Sequence, residues 1–346
     1  DIRLKYRFLD LRRKPMQQNL LTRARLMKAI REYMNEQGFN EFETPMLVKY
    51  TPGGARNYLV PSRLEQGKFW ALPESPQLFK QLLMVAGFER YYQIARCLRD
   101  EDLRKDRQPE FTQLDVEMSF ITQEDIIKLI EGLLKKIWKE TLNVDIKTPF
   151  PRITYEESMK KYNIDRPDLR KNKEDNKEYA FVWVVDFPLF QYSEEDKKYV
   201  ANHHPFTSPN MEDFKKNPEK ARSVAYDIVL NGVEIGGGSI RIHNSEVQQK
   251  VFDILKIDKK EQETRFKFLL DALKFGAPPH GGIALGLDRL MQILTNTESI
   301  REVIAFPKNS DGREVMLDAP SNVSEQQLKE LHIKLDLKEE KVKKKK

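Results

Sequence analysis

Two runs of alternating character, 90–99 and 111–118, flank the charged stretch 100–110, which is too long and too polar for a tight turn. The pattern predicts two antiparallel strands joined by a long loop. In the first run Gln93, Ala95, Cys97 and Arg99 share a face, and Tyr92, Ile94 and Leu98 take the other, with Arg96 interrupting the apolar set. In the second, Phe111, Gln113, Asp115 and Glu117 oppose Leu114, Val116 and Met118. One face is core and the other is a polar shelf. An arginine, a glutamine, two carboxylates and an aromatic ring are costly to bury unless something pairs with them. Arg99 suits a phosphate through its planar fork, Phe111 offers a ring face and Asp115 can hold an ammonium group. The shelf fits a nucleotide beside an amino acid.

The rest of the composition narrows the class. A chain of 346 residues with 39% hydrophobic and 33% charged content reads as a soluble globular protein with one large core or two modest ones. It has no apolar run of membrane-spanning length and opens on no signal peptide. The net charge of +6 owes five units to Lys341 and Lys343 to Lys346, so the body is nearly neutral and gives little support for a broad nucleic-acid surface. The Lys-rich tail, 338–346, is expected to be disordered. A single cysteine, Cys97, excludes an internal disulfide, and five histidines without paired spacing argue against zinc. The expected compartment is reducing: cytoplasm, or an organellar matrix. The opening Asp1 reads as a trimmed or processed start.

Along the chain, Leu20, Ala24, Met27, Ile30 and Met34 predict an amphipathic helix over 18–37 with Gly38 as its C-terminal cap. A strand over 39–46, broken by Pro45, follows. Two glycines within 51–63 permit a mobile loop. A short strand over 69–72 leads to a helix capped by Ser75, with Pro76 at its first position and Gly87 beyond its end; Gln77 and Lys80 share its face. Thr122 and Asp125 open a helix to 142 with a stripe through Ile126, Ile130, Leu133, Ile137 and Trp138. An unpatterned linker over 162–179 precedes a strand over 181–190. Two helices, 245–255 and 259–275, precede a short strand over 283–285, a turn at Gly286 and a helix whose start carries Arg289, a natural polyphosphate seat.

The stretch 223–242 is a second hairpin. Asn231 and Gly232 signal a type I′ turn, which pairs Leu230 with Val233, Val229 with Glu234 and Asp227 with Gly236. Asp227 and Glu234 then lie on one face, roughly 7–8 Å apart as diagonal neighbours. Two such carboxylates can share magnesium bridging to phosphates. Regular alternation points Arg241 away from Glu234, so an inward Arg241 requires a bulge in the run of Gly236, Gly237 and Gly238.

The run FTQLDVEMSF preceded by RDEDLRKDRQPE resembles motif 2 of the class II aminoacyl-tRNA synthetases, specifically the bacterial-type aspartyl enzymes. The helix 18–37 with FNEFETPM resembles their motif 1, the dimer element; GGGSIRIHN resembles the aspartate-side segment, and GGIALGLDRLMQIL resembles motif 3. The resemblance covers 1–337 and implies an α+β class II catalytic fold, a mostly antiparallel sheet flanked by helices. The implied reaction is activation of L-aspartate by ATP to aspartyl-adenylate, followed by transfer to the 3′ end of tRNA.

By resemblance, Arg99 and Arg289 are catalytic, on the α- and γ-phosphates. Asp100, Glu101, Gln108, Phe111, Glu234, Gly286, Leu287 and Asp288 complete the ATP site, and Asp227 and Glu234 hold Mg²⁺. Ser75, Gln77, Lys80, Arg99, Asp115, His203 and Arg241 form the aspartate pocket. A homodimer is implied, with no membrane partner. Gly53 stands where bacterial members commonly carry a glutamate that contacts the amino acid. The family's N-terminal anticodon-binding barrel and internal insertion domain find no counterpart in the sequence, so tRNA contact is expected at the acceptor end through 103–108, and weakly. Two rivals share these motifs: a paralogue making asparagine from the adenylate and ammonia, and a silent tRNA-binding or regulatory paralogue, against which Arg99, Arg241 and Arg289 all count.

Overall fold

The shelf-bearing hairpin lies inside an eight-stranded sheet ordered Asn40–Glu41, Arg90–Leu98, Glu110–Ser119, His280–Gly286, Val233–Ile240, Ala225–Leu230, Phe181–Val185 and Arg152–Thr154. The computed structural model describes residues 2–50 and 56–337. Every pairing in the sheet is antiparallel except at the two edges, where Asn40–Glu41 and Arg152–Thr154 lie parallel to their neighbours. This is the expected α+β architecture.

In the central hairpin Gln93 faces Asp115 and Cys97 faces Phe111. Alternation then sends Tyr92, Leu114, Val116 and Met118 into the main core, where they meet Ile228, Leu230, Ile283 and Leu285 from the neighbouring strands. The helices Lys14–Glu36 and Gln123–Leu142 cover that side. Ile126, Ile130, Leu133, Ile137 and Trp138 are all fully buried, as their spacing predicts. The Thr122 backbone N–H donates to Asp125 at 2.8 Å, which closes the predicted capping box.

Several elements depart from the sequence reading. The first long helix begins at Lys14, and its buried stripe runs through Met16, Thr22, Leu26, Ala29, Ile30 and Met34, leaving Ala24 exposed. Tertiary packing rotates the apolar face, since Leu26 buries more surface than Ala24. The strand expected over 39–46 pairs only at Asn40–Glu41. Pro76, not Ser75, occupies the N-cap position of the helix Gln77–Val85, with no side-chain cap. The strand expected over 181–190 breaks after Val185 at Asp186, whose φ of 56° turns the chain into a separate small hairpin, Phe190–Ser193 with Lys198–Ala201. The helix Tyr155–Tyr162, opened by a Thr154–Glu157 capping box, has no counterpart in the sequence reading. The stretch after it, 163–180, carries no helix or strand. The loop at Gly53 and the Lys-rich tail lie outside the described residues.

Candidate active site

The polar face of the sheet floors a cleft of about 640 Å³, lined at one end by Lys80, Asp115 and Arg241 and at the other by Arg99, Phe111 and Arg289. Ser75, Gln77, Glu101, Gln108, His203, Asp227, Glu234, Gly286 and Asp288 also line it. Thus the central hairpin, the helix after Pro76, the glycine-rich hairpin and the strand–helix unit at Gly286 converge from distant parts of the sequence.

The inner end is a closed ionic network. Lys80 Nζ lies 3.0 Å from Asp115 Oδ1 and 3.5 Å from Glu117 Oε2. Arg241 donates to both Glu117 oxygens, at 3.0 and 3.3 Å, and to Ser239 Oγ at 2.9 Å. None of the four charged residues is more than 4% exposed. Burial pushes the Asp115 carboxyl above its usual range, a rise that Lys80 only partly offsets. Burial acts the same way on Glu117, but Arg241 and Lys80 overcome it and hold this carboxyl below the usual range. His204, which also lines the cleft, is pushed down to about 3 by burial and by Arg241 and Lys80, and so is neutral. Asp115 Oδ2 is buried with no hydrogen-bond partner among the described residues, although Asp115 lines the cleft.

The inward aim of Arg241 comes from a bulge. Val229 pairs with Glu234 as expected, but Ile228 pairs with Gly236 and Asp227 with Gly237, not Gly236. The extra residue, Ile235, shifts the alternation by one, so Asp227, Glu234, Gly237, Ser239 and Arg241 share a face. Asn231 and Gly232 both carry positive φ, as a type I′ turn requires. Two glycines clear space for the charges. A Cβ at Gly237 would sit 2.3 Å from Asp227 Oδ1, and one at Gly282 would sit 2.1 Å from Glu117 Oε2.

At the outer end the charges are less fully matched. The Arg99 guanidinium stacks 4.9 Å from the Phe111 ring centre, and its buried Nε has no partner among the described residues. Arg289 donates to the Glu234 carbonyl at 3.2 Å and meets Asp106 of the 100–110 loop at 3.3 Å. That loop is fastened at Lys105, whose carbonyl accepts from Ser299 and Ile300. Gln108 accepts from the Lys308 backbone N–H at 2.7 Å and donates back to its carbonyl at 3.2 Å. Burial and the neighbouring Asp227 push the Glu234 carboxyl up. His203 lies 3.5 Å from Asp227; burial opposes its protonation, but Asp227 outweighs it and raises the His203 pKa. Two facing carboxylates, one with a raised pKa, fit a divalent cation that would also take oxygens from phosphates.

Three expected ATP contacts sit differently. Asp100 does not line the cleft; it pairs with Arg56 at 2.8 Å. Leu287 is fully buried in the main core. Asp288 reaches the cleft wall, but its carboxylate is committed to Arg23 at 2.6 Å and to the Thr112 backbone N–H at 2.9 Å, tying the first long helix to the shelf strand. Conversely, Glu117 was visible as a shelf carboxylate but carried no role, because nothing local shows that two cations converge on it. Asp106 and His204 also line the cleft, as does Asp165, which carried no local sequence signal.

With this geometry in place, the likeness to known proteins is decisive. The family model for class II tRNA synthetases of the D, K and N kinds matches residues 1–310. An aspartate–tRNA(Asp/Asn) ligase of Caldanaerobacter subterraneus subsp. tengcongensis is 45% identical over an alignment covering 97% of this chain and 78% of that protein. The aspartate–tRNA ligase of Macrococcus caseolyticus is 41% identical with the same coverage, and the aspartate–tRNA(Asp/Asn) ligase of Dictyoglomus turgidum is 42% identical, covering 98% of this chain and 78% of its own length. No helix among the described residues is long and apolar enough to cross a membrane. The chain belongs to the class II tRNA synthetases of the D, K and N kinds.

Proposed function

We propose that the chain is an aspartate–tRNA ligase that forms aspartyl-adenylate from L-aspartate and ATP and passes the aspartyl group to tRNA. The observation that carries this reading is the pair of buried cations, Lys80 and Arg241, beside Asp115, whose Oδ2 has no hydrogen-bond partner among the described residues. The cations receive the side-chain carboxylate and Asp115 receives the ammonium group, together with Gln77. Ser75 and His203 close the pocket around them. Asparagine in the same place would turn an NH₂ group toward the Lys80 and Arg241 donors where aspartate offers a second acceptor oxygen, and buried donors left unpaired can cost ~10⁴ in selectivity.

No side chain has to act as a covalent nucleophile. A substrate carboxylate oxygen attacks the α-phosphorus, the new O–P bond forms as the bond to pyrophosphate breaks, and the negative charge leaves on pyrophosphate. A hydroxyl of the terminal tRNA ribose then attacks the adenylate carbonyl and AMP departs. Arg99 stabilises charge at the α-phosphate and Arg289 at the γ-phosphate, the latter exchanging its contact with Asp106 for phosphate oxygens. Phe111 stacks on adenine, with Glu101 and Gln108 at the nucleotide edge. Asp227 and Glu234 hold Mg²⁺, which when bound neutralises phosphate charge. The first long helix, with its exposed Leu21, and the edge strand Asn40–Glu41 form the face on which two copies join as a closed homodimer.

Aspartate-dependent ATP–pyrophosphate exchange, with asparagine and glutamate as controls, tests the first half. Exchange with aspartate alone is the expected outcome, and a folded dimer without exchange would sink the reading. Charging assays on tRNA(Asp) and tRNA(Asn) then test the transfer step and its breadth.

A further inference from the structure

Behind the amino-acid end of the cleft runs a chain of hydrogen bonds that the ionic network does not include. Gln77 Nε2 donates to Gln81 Oε1 at 3.0 Å, Gln81 Nε2 lies 3.2 Å from His280 Nε2, and His280 Nδ1 lies 2.8 Å from the Pro278 carbonyl. Gln81 and His280 are at most 1% exposed, whereas Gln77 lines the cleft.

The direction of every bond follows from its far end. A carbonyl oxygen can only accept, so His280 Nδ1 carries the proton. In the neutral ring Nε2 is then an acceptor, which must face the NH₂ of Gln81. That turns the Gln81 oxygen toward Gln77 and commits the Gln77 NH₂ to it. One group is left over: the Gln77 carbonyl oxygen, at the open end. Burial pushes the His280 pKa down against the pull of Glu117, with Arg241 and His243 adding to the fall, so the ring stays neutral.

We propose that Gln81 and His280 are positioning residues that fix the Gln77 amide with its oxygen toward the cleft, where it accepts from the ammonium group of the amino acid. An amide free to turn over would present its NH₂ to that cation half the time. The sequence reading placed Gln77 in the pocket but could not say which end of its amide faces the substrate, and the buried anchor decides it. This inference rests on the proposed aspartate site.

The tautomer of His280 is measurable in the intact protein without substrate. Selective ¹⁵N-histidine labelling gives five pairs of ring-nitrogen signals, and the His280 pair is assigned by its loss in His280→Gln. A neutral Nδ1–H ring is expected; an Nε2–H ring overturns the relay. In exchange assays Gln81→Met should raise the aspartate KM about tenfold while the ATP KM stays within about twofold, because only the ammonium contact is loosened. Gln81→Glu keeps an oxygen toward Gln77 and should recover most of the lost affinity, with His280 now doubly protonated. A residue that only fills space would make the glutamate variant the worse of the two, and that ranking would overturn the proposal, as would equal effects on aspartate and ATP. If the wild-type chain shows no aspartate-dependent exchange, the functional reading falls while the tautomer still decides the relay.

Discussion

At the inner end of the cleft two cations and two carboxylates are chained by contacts of 3.0–3.5 Å and out of solvent; at the outer end Arg99 Nε has no partner among the described residues, Asp227 and Glu234 face each other, and Arg289 rests against a loop carboxylate. The inner network is preformed, so on the proposed reading an amino acid meets groups already held in place and is selected by how its side chain meets their donors. On the proposed reading, the outer end gains its remaining counter-charge from triphosphate and cation. Specificity and phosphate chemistry are thereby separated along one sheet face.

Removing a member of the inner network should give the largest change, because it strands a buried charge. Arg241→Ala leaves Glu117 facing Lys80 alone and should lower kcat/KM for aspartate by ~10⁴ and destabilise the fold by about 3–5 kcal/mol. Urea melts and exchange kinetics measure both. An equal loss of ATP affinity would erase the separation between the two ends.

Arg99→Ala should reduce kcat by about 10²–10³ with a nearly unchanged melting temperature, since no buried ion pair is broken. A melting loss comparable to that of the Arg241 variant would show that the outer end is as preformed as the inner one.

The smallest effect is on stability at the facing carboxylates Asp227 and Glu234. The Glu234 pKa is raised in the fold, so ionised Glu234 opposes folding: stability is fully present below the usual glutamate range and is lost as pH rises through the folded value. Glu234→Gln in the absence of divalent cation should therefore be more stable than wild type at pH 8, and the advantage should vanish near pH 4, while exchange is lost. Thermal melts at the two pH values decide it; a variant less stable than wild type at pH 8 would remove the like-charge strain.

The central hairpin, its shelf, the type I′ turn and the core stripe of the helix Gln123–Leu142 could all be read from the sequence, because alternation, turn chemistry and helical spacing act between residues close in the chain. The same local rules separated the two faces of the sheet and singled out Arg99, Phe111 and Asp115. They failed where distance decides. Ala24 and Leu26 compete for one helix face, and only packing against the helix Gln123–Leu142 settles which is buried. Leu287 faces the core, and Asp288 is held by an arginine 265 positions away. The glycine run announced a bulge before Arg241, but its place at Ile235, the pairing of Lys80 and Arg241 through Glu117 and the orientation of the Gln77 amide belong to the tertiary structure alone. Each is fixed by the requirement that buried charges and hydrogen-bonding groups find partners, and those partners come from other strands and helices.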